Sequence, residues 1–228
     1  MIRALLLSMA LAALAVPSQA GASCRVALAL GLDISSSVDD AEYQLQMQGL
    51  AAALEDARVI EAILTPEGTY IAAAAYEWSG YPQQDVVLDW TILNSASSIR
   101  TFAARLRGHV RVYRDFATAL GKGVEFGALM LRRAPACGRY VLDVSGDGEN
   151  NVGIGPSYFR DQGLLDGITV NGLVIQGAQP DPAVYYRRHV LHGPEAFMVL
   201  AQDFSDYRTA MIDKLLRELN AEMMLGQR

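Results

Sequence analysis

The sequence predicts an α/β fold in which helices cover both faces of one mostly parallel, six-stranded sheet, in the doubly wound arrangement of Rossmann-like proteins. Two observations support this prediction. From Cys24 onwards, short apolar runs alternate with segments of helical periodicity, an order typical of parallel sheets. In addition, 51% of the 228 residues are apolar and 19% are charged, a composition that can bury a sizeable core.

The first elements follow from the spacing of apolar residues. Val26–Leu32 is an apolar run that predicts a buried strand. Val38–Ala57 is predicted to form one helix, because apolar side chains recur there at helical spacing. Two further apolar runs, Tyr70–Trp78 and Asp85–Trp90, predict strands, and Ser97–Leu106 predicts a second helix. The apolar positions on one face of the first helix are Tyr43, Met47, Leu50 and Leu54.

The C-terminal half continues the alternation. The predicted elements are a helix at Ala119–Arg132, a strand at Tyr140–Val144, a helix at Ser157–Leu165, strands at Ile168–Ile175 and Ala196–Leu200, and an amphipathic helix at Phe204–Leu219. The stretch from Gly146 to Pro156 is rich in Gly and Asn and is predicted to be a loop. The sequence leaves open the role of Asp143, a carboxylate inside a predicted strand.

Residues 1–20 have the pattern of a secretory signal peptide. Arg3 precedes the apolar run Ala4–Val16, and Ser18-Gln19-Ala20 forms a small-x-small cleavage site. The run is too short for a membrane span, which needs about 20 residues; a membrane-anchored N-terminal helix is the alternative. No later segment is apolar enough to span a bilayer. The sequence therefore predicts a domain over residues 21–228 that is periplasmic or secreted and has no membrane span.

Charge and metal-ligand counts exclude two classes of function. The formal net charge is −6 and the pI is about 5.1, and Lys and Arg form no cluster. Binding to the phosphates of nucleic acids needs clustered positive charge, so no nucleic-acid partner is expected. With two Cys and three His, the chain has too few ligands for a Cys-rich zinc site.

Three separated segments share hydroxyl and carboxylate side chains. Asp33, Ser35 and Ser37 directly follow the first predicted strand, Thr118 opens a helix, and Asp147 follows another strand. Ligands of open parallel sheets bind at the carboxyl ends of the strands, so these residues are expected at one edge. Hard oxygen ligands of this kind suit Mg²⁺, Ca²⁺ or Mn²⁺. The sequence therefore predicts a divalent-cation site there.

This pattern resembles the von Willebrand factor type A (vWA) domain. Asp33, Ser35, Ser37, Thr118 and Asp147 match its metal-ion-dependent adhesion site (MIDAS) in type and order. The resemblance extends over nearly all of the chain from Cys24 to Leu219. More narrowly, the chain is similar to exported bacterial vWA-like proteins that are grouped as a domain of unknown function.

The resemblance implies a role for each of these residues. Ser35 and Ser37 would bind the cation through their hydroxyls, Thr118 directly or through water, and Asp33 and Asp147 mainly through water. Mg²⁺ is the expected ion, with Mn²⁺ or Ca²⁺ as alternatives. An open coordination position would accept an Asp or Glu of a protein partner. The expected function is thus metal-dependent protein binding rather than catalysis.

Other interpretations of these residues stay open. Ser37 with Asp40 fits a helix capping box, Thr118 fits an ordinary N-cap, and Asp147 with Gly148 fits a turn. A metal-assisted hydrolase would need a base or nucleophile beside the ion, and neither Gly-x-Ser-x-Gly nor His-Glu-x-x-His occurs in the sequence. A structural vWA domain with a vestigial ion site is the third possibility.

The resemblance also suggests a disulfide between Cys24 and Cys137. The strand order of the family, 3-2-1-4-5-6, places the first and fourth strands side by side. Each cysteine directly precedes one of these two strands, so both would lie at the edge opposite the cation site. An exported chain with an even number of cysteines makes the bond chemically reasonable. Two buried free thiols, packed as small apolar groups, are the alternative.

Overall fold

Six strands form one mixed sheet within residues 22–225, the part of the chain that the computed structural model describes. They are β1 (Ser23–Asp33), β2 (Thr69–Trp78), β3 (Gln84–Leu93), β4 (Cys137–Gly146), β5 (Ile168–Ile175) and β6 (Met198–Ala201). Their order is β3-β2-β1-β4-β5-β6, and only the β2–β3 pair is antiparallel. The predicted fold class and the strand order implied by the resemblance are confirmed. The predicted signal peptide, residues 1–20, lies outside the described residues.

Helices connect the strands and cover the sheet. They are α1 (Asp40–Leu54), α2 (Ala57–Leu64), α3 (Ala96–Arg107), α4 (Leu120–Leu131), α5 (Pro156–Asp161), α6 (Pro182–Tyr185) and α7 (Tyr207–Leu225). A π-helical turn, Tyr186–Val190, follows α6, and a 3₁₀ turn, Phe204–Asp206, precedes α7.

Several predicted boundaries are wrong; the ends of the strands shift by up to three residues, and three of the differences have a local cause. The single helix expected over Val38–Ala57 ends at Leu54, because Asp56 caps a new helix by accepting a hydrogen bond from the backbone of Arg58. The helix expected over Ser157–Leu165 is only α5, since Gly163, with a φ of +73°, ends it in a turn. The last predicted strand starts late, at Met198.

The late start of β6 has a local cause. The backbone N–H of Phe197 donates to the side chain of Asn171 at 3.0 Å. The side-chain amide of Asn171 on β5 therefore takes the backbone N–H of the residue just before Met198, and the regular strand begins only after it. Such a side-chain contact has no periodic signature in the sequence.

The alternation of side chains along β1 separates two cores. Val26, Leu28 and Leu30 pack with α1, α2, α3 and α7 on one face, while Ala27 and Ala29 pack with α4 and α6 on the other. Small residues let α4 approach the sheet closely. A Cβ atom at Gly127 would lie only 2.3 Å from Leu142 Cδ1, so any larger residue here would have to displace the side chains of Leu142 and Tyr76.

Asp143 takes part in a buried ion cluster between β4 and α7. The Nζ atom of Lys214 lies 2.7 Å from Asp143 Oδ2 and 2.5 Å from Glu218 Oε1. The amide of Asn171 donates to Glu218 Oε1 at 2.9 Å. Burial raises the pKa of Asp143 to about 7, although the charge of Lys214 opposes this rise. The role that the sequence left open is thus a buried, paired carboxylate.

The predicted disulfide is confirmed. Cys24 and Cys137 face each other in the register of β1 and β4 and are bonded, with their Cα atoms 4.5 Å apart. Both lie at the N-terminal ends of these strands. The bond therefore links the two central strands at the edge opposite Asp33 and Gly146, the last residues of β1 and β4.

Candidate metal centre

Three loops meet at the edge of the sheet where β1, β2 and β4 end. The first runs from Asp33 to α1, the second precedes α4, and the third follows Gly146 at the end of β4. The backbone N–H of Ser36 donates to the carbonyl of Phe116 at 2.8 Å, which joins the first loop to the second. Parallel pairing of the central strands thus brings together segments that are far apart in the sequence.

The first loop connects its predicted ligands to the third loop through hydrogen bonds. Oδ1 of Asp33 accepts a hydrogen bond from the backbone N–H of Ser35 at 2.8 Å. The hydroxyls of Ser35 and Ser37 lie 3.2 Å apart, and the Ser37 hydroxyl donates to Asp147 Oδ1 at 2.9 Å. Four of the five residues predicted from the sequence therefore form one hydrogen-bonded group.

Two carboxylates share this group, one fully buried and the other partly buried. Asp33 is 0% exposed, and its Oδ2 has no hydrogen-bond partner among the described residues. The backbone of Gly146 closes over this oxygen, because a Cβ atom there would lie 2.9 Å from Oδ2. Burial, together with repulsion from Asp147, raises the pKa of Asp33 to about 8, and burial also raises the pKa of Asp147. A cation beside these groups would relieve both effects.

The fifth predicted residue, Thr118, reaches the third loop through Asn151. The backbone N–H of Thr118 donates to Asn151 Oδ1 at 2.8 Å, and the side-chain amide of Asn151 lies 3.4 Å from the Thr118 hydroxyl. Asn150 Oδ1 accepts from the backbone N–H of Gly121 at 3.0 Å. These two asparagines, which the sequence analysis assigned only to a loop, thus hold the second and third loops together.

The capping interpretations of Ser37 and Thr118 are wrong. The N-cap of α1 is Asp39, which forms a capping box with Glu42. The N-cap of α4 is Ala119, which has no side-chain cap. Neither Ser37 nor Thr118 is therefore occupied in capping a helix.

The donor set suits a hard divalent cation. Within residues 22–225 no group of three or more His, Cys, Asp or Glu is placed to hold a metal ion, so binding here would depend on hydroxyl oxygens as well as carboxylates. Among the carboxylates, Asp33 has a buried oxygen, Oδ2, that no described residue hydrogen-bonds and that a cation could therefore bind. Oxygen-only sites are typical of Mg²⁺, Ca²⁺ and Mn²⁺.

A family model covers almost the whole described region. It matches residues 23–223 and is described as a protein of unknown function, DUF1194. The chain belongs to the DUF1194 family. Among curated proteins, none matches this sequence.

Solved structures show that this DUF1194 protein has a vWA-like fold. A von Willebrand factor type A protein from Catenulispora acidiphila matches with a TM-score of 0.57 at 15% identity, over 87% of this chain and 43% of its own. Proximal thread matrix protein 1 from the mussel byssus, with a zinc-occupied MIDAS motif, matches with a TM-score of 0.59 at 16% identity, over 87% and 47% of the two chains.

A third similar structure is the PilB minor pilin from Streptococcus sanguinis. Its TM-score is 0.64 at 13% identity, and the match covers 90% of this DUF1194 chain and 63% of the pilin. The chain spans about half the length of the first solved structures that it matches. None of the helices within residues 22–225 is both long and apolar enough to cross a membrane.

Proposed function

We propose that this DUF1194 protein is an exported binding module that holds a divalent cation and uses it to bind an acidic side chain of a protein partner. The cation would be held by Asp33, Ser35, Ser37, Thr118 and Asp147. Mg²⁺ is the ion we expect, with Mn²⁺ or Ca²⁺ as alternatives. When bound, the ion would supply an electrophilic coordination position for a carboxylate of the partner.

The observation that carries this proposal is the carboxylate of Asp33. It is fully buried, it has one oxygen without a hydrogen-bond partner, and it lies near a second carboxylate, Asp147. Burying such a charge without a partner is costly. A divalent cation would balance the charge of the two carboxylates. The zinc-occupied MIDAS motif of the structurally similar mussel protein supports a divalent ion in a domain of this fold.

Exposed apolar side chains near the same edge support a protein partner. Val110, at 75% exposure, precedes Thr118 in the second loop, and Ile154 lies in the third. Exposed apolar residues on neighbouring loops offer a surface that a protein partner could cover. The exposed apolar residues of these loops and of the β2–β3 turn are Tyr81, Val110, Val112, Phe116, Val152 and Ile154.

Two features support export. Residues 1–20 have the pattern of a signal peptide. The Cys24–Cys137 disulfide is of a kind that persists mainly in oxidising compartments. We therefore place residues 21–228 in the periplasm or outside the cell, as one vWA-like domain.

Thermal unfolding with and without divalent cations tests the ion. A ligand present at about 100 times its Kd stabilises the folded state by about 2.7 kcal/mol, which corresponds to about 5–10 °C for a domain of this size. We expect Mg²⁺ or Mn²⁺ to raise the unfolding temperature by this order and EDTA to reverse the shift. An unfolding temperature that no divalent cation changes would contradict the proposal.

Affinity capture from an envelope fraction tests the partner. The wild-type protein should retain a partner in Mg²⁺ and release it in EDTA. An Asp147→Asn bait, matched in size and lacking one carboxylate, should not retain that partner in either buffer. Retention by both baits in EDTA would place the interaction on another surface.

A further inference from the structure

The guanidinium group of Arg111 lies against the loop that carries the predicted cation ligands. Arg111 belongs to the segment between α3 and α4 and is only 8% exposed. Its Nη2 donates to the carbonyl oxygens of Ile34 at 2.8 Å and Ser35 at 3.3 Å. Its Nη1 donates to the carbonyl oxygen of Val38 at 2.9 Å. One side chain therefore binds three carbonyl groups between β1 and α1.

These contacts bear directly on the direction of the ligand side chains. Between Asp33 and Asp40 the chain consists of turns and bends rather than a regular helix or strand. The orientation of each peptide group there sets the direction of the neighbouring side chains. A rotation of the peptide group at Ser35 would turn its hydroxyl away from that of Ser37.

The segment that carries Arg111 lies beside β2 and beside the loop that follows β1. The Nε2 atom of His109 lies 3.3 Å from the buried carboxylate of Glu77, on β2. At its other end, the carbonyl of Phe116 accepts the backbone N–H of Ser36 at 2.8 Å. The segment and the loop are therefore joined at two places, through the guanidinium of Arg111 and through the carbonyl of Phe116.

We propose that Arg111 is a positioning residue of the cation site, whose guanidinium holds the loop from Asp33 to Ser37 in the geometry that brings the Ser35 and Ser37 hydroxyls together and lets that of Ser37 reach Asp147. This inference rests on the proposed function, because it assumes that these residues bind a cation. The planar fork of arginine suits the role, since it donates several hydrogen bonds in fixed directions. Lysine would retain the charge without that geometry.

The charge of Arg111 by itself would have the opposite effect. A fixed positive charge near the site repels a divalent cation, so its removal would strengthen binding if Arg111 acted through charge alone. Arg111→Met removes both the charge and the fork, whereas Arg111→Lys removes only the fork. A positioning role predicts weaker binding in both variants.

Arg25 offers a matched control at the opposite edge of the sheet. It is also 8% exposed, and it donates to the carbonyl oxygens of Ala62 at 2.7 Å, Ile63 at 3.3 Å and Leu219 at 3.4 Å. Arg25→Met therefore removes comparable contacts from a place far from the candidate site. Comparing the two arginines separates loss of stability from loss of geometry.

The test is a Mn²⁺ titration of the purified proteins, followed by the electron paramagnetic resonance signal of the free ion, with thermal unfolding in EDTA measured in parallel. We expect Arg111→Met and Arg111→Lys to lose about 10- to 100-fold in Mn²⁺ affinity, the range found for groups that orient metal ligands. Arg25→Met should keep the wild-type affinity while losing thermal stability. Arg111→Lys keeps the charge and most of the packed stem, so it serves if the methionine variant does not fold.

Three results would overturn the proposal. Wild-type affinity in the Arg111 variants would show that the loop keeps its geometry without the guanidinium. Tighter binding in Arg111→Met, with no change in Arg111→Lys, would show that only charge matters. An equal loss of affinity in Arg25→Met would reduce the effect to general stability. Failure of the wild-type protein to bind Mn²⁺ would instead refute the proposed cation site, and this inference with it.

Discussion

At the scale of single residues, Asp33 and Asp147 show how the fold maintains an unfavourable arrangement of charge. Asp33 is fully buried and Asp147 partly buried at the end of the central strands, and burial raises the pKa of each. The backbone N–H of Ser35 and the hydroxyl of Ser37 satisfy one oxygen of each residue. These hydrogen bonds leave Oδ2 of Asp33 unsatisfied, and the proposed cation would complete its environment.

Asp33→Asn should abolish the stabilisation by Mg²⁺, because it removes a charge that balances the ion. In EDTA the variant should be at least as stable as the wild-type protein, since the substitution removes the repulsion between Asp33 and Asp147. Thermal unfolding in both buffers checks these two outcomes. Asp39→Asn, a conservative change of the α1 N-cap, is the control and should keep the full response. A full Mg²⁺ shift in Asp33→Asn would exclude this carboxylate from the site.

At the scale of elements, α7 is joined to the sheet by charge as well as by apolar packing. Lys214, on α7, is 0% exposed and pairs with Asp143 of β4 and with Glu218 one turn further along the helix. Removing one member of a buried ion pair leaves an uncompensated charge, which costs about 3–5 kcal/mol. The cluster therefore makes the position of α7 sensitive to a single side chain.

Lys214→Met should destabilise the protein by about 3–5 kcal/mol near pH 8 and by less near pH 5. The pKa of Asp143 in the folded protein, about 7, lies above its usual value of 3.8. This group therefore favours folding most at low pH, and its contribution is lost as the pH rises from about 3.8 towards 7. The charge of Lys214 lowers the pKa of Asp143. Without Lys214 this pKa rises further, so the stability that Asp143 contributes continues to fall up to a higher pH.

Denaturant unfolding of the wild-type and Lys214→Met proteins at several pH values checks this prediction. Lys122→Met is the control, because Lys122 pairs with Glu125 at a partly exposed position on α4. Such pairs contribute about 0–1 kcal/mol. A loss of stability in Lys214→Met that does not change with pH would contradict the pH dependence expected from Asp143.

At the scale of the whole molecule, the two central strands are constrained at opposite ends. The disulfide joins β1 and β4 at their N-terminal ends, and the candidate site lies where both strands finish. The bond connects residues 113 positions apart. In the chain-entropy model a loop of this size stabilises the folded state by about 4–5 kcal/mol at most.

The double variant Cys24→Ser and Cys137→Ser should unfold at a temperature lower by about 10 °C, given about 2–4 °C per kcal/mol for a domain of this size. Its Mg²⁺-induced shift should stay unchanged, because the bond lies at the edge opposite the candidate site. Thermal unfolding with and without Mg²⁺ checks both statements, and reduction of the wild-type protein should reproduce the double variant. Thiol titration of denatured, unreduced wild-type protein should detect no free thiol.

The fold class, the six strands and the residue types of the candidate site are all present in the sequence, because apolar periodicity and the Asp-x-Ser-x-Ser spacing are local properties. The strand order and the disulfide pairing required the resemblance to vWA domains as well. The contacts of Asp143, Asn151 and Arg111 were decided by the tertiary structure. Each of these side chains bonds to groups distant in the sequence, Lys214, Thr118 and the carbonyls after β1 respectively, and such contacts leave no periodic signal along the chain.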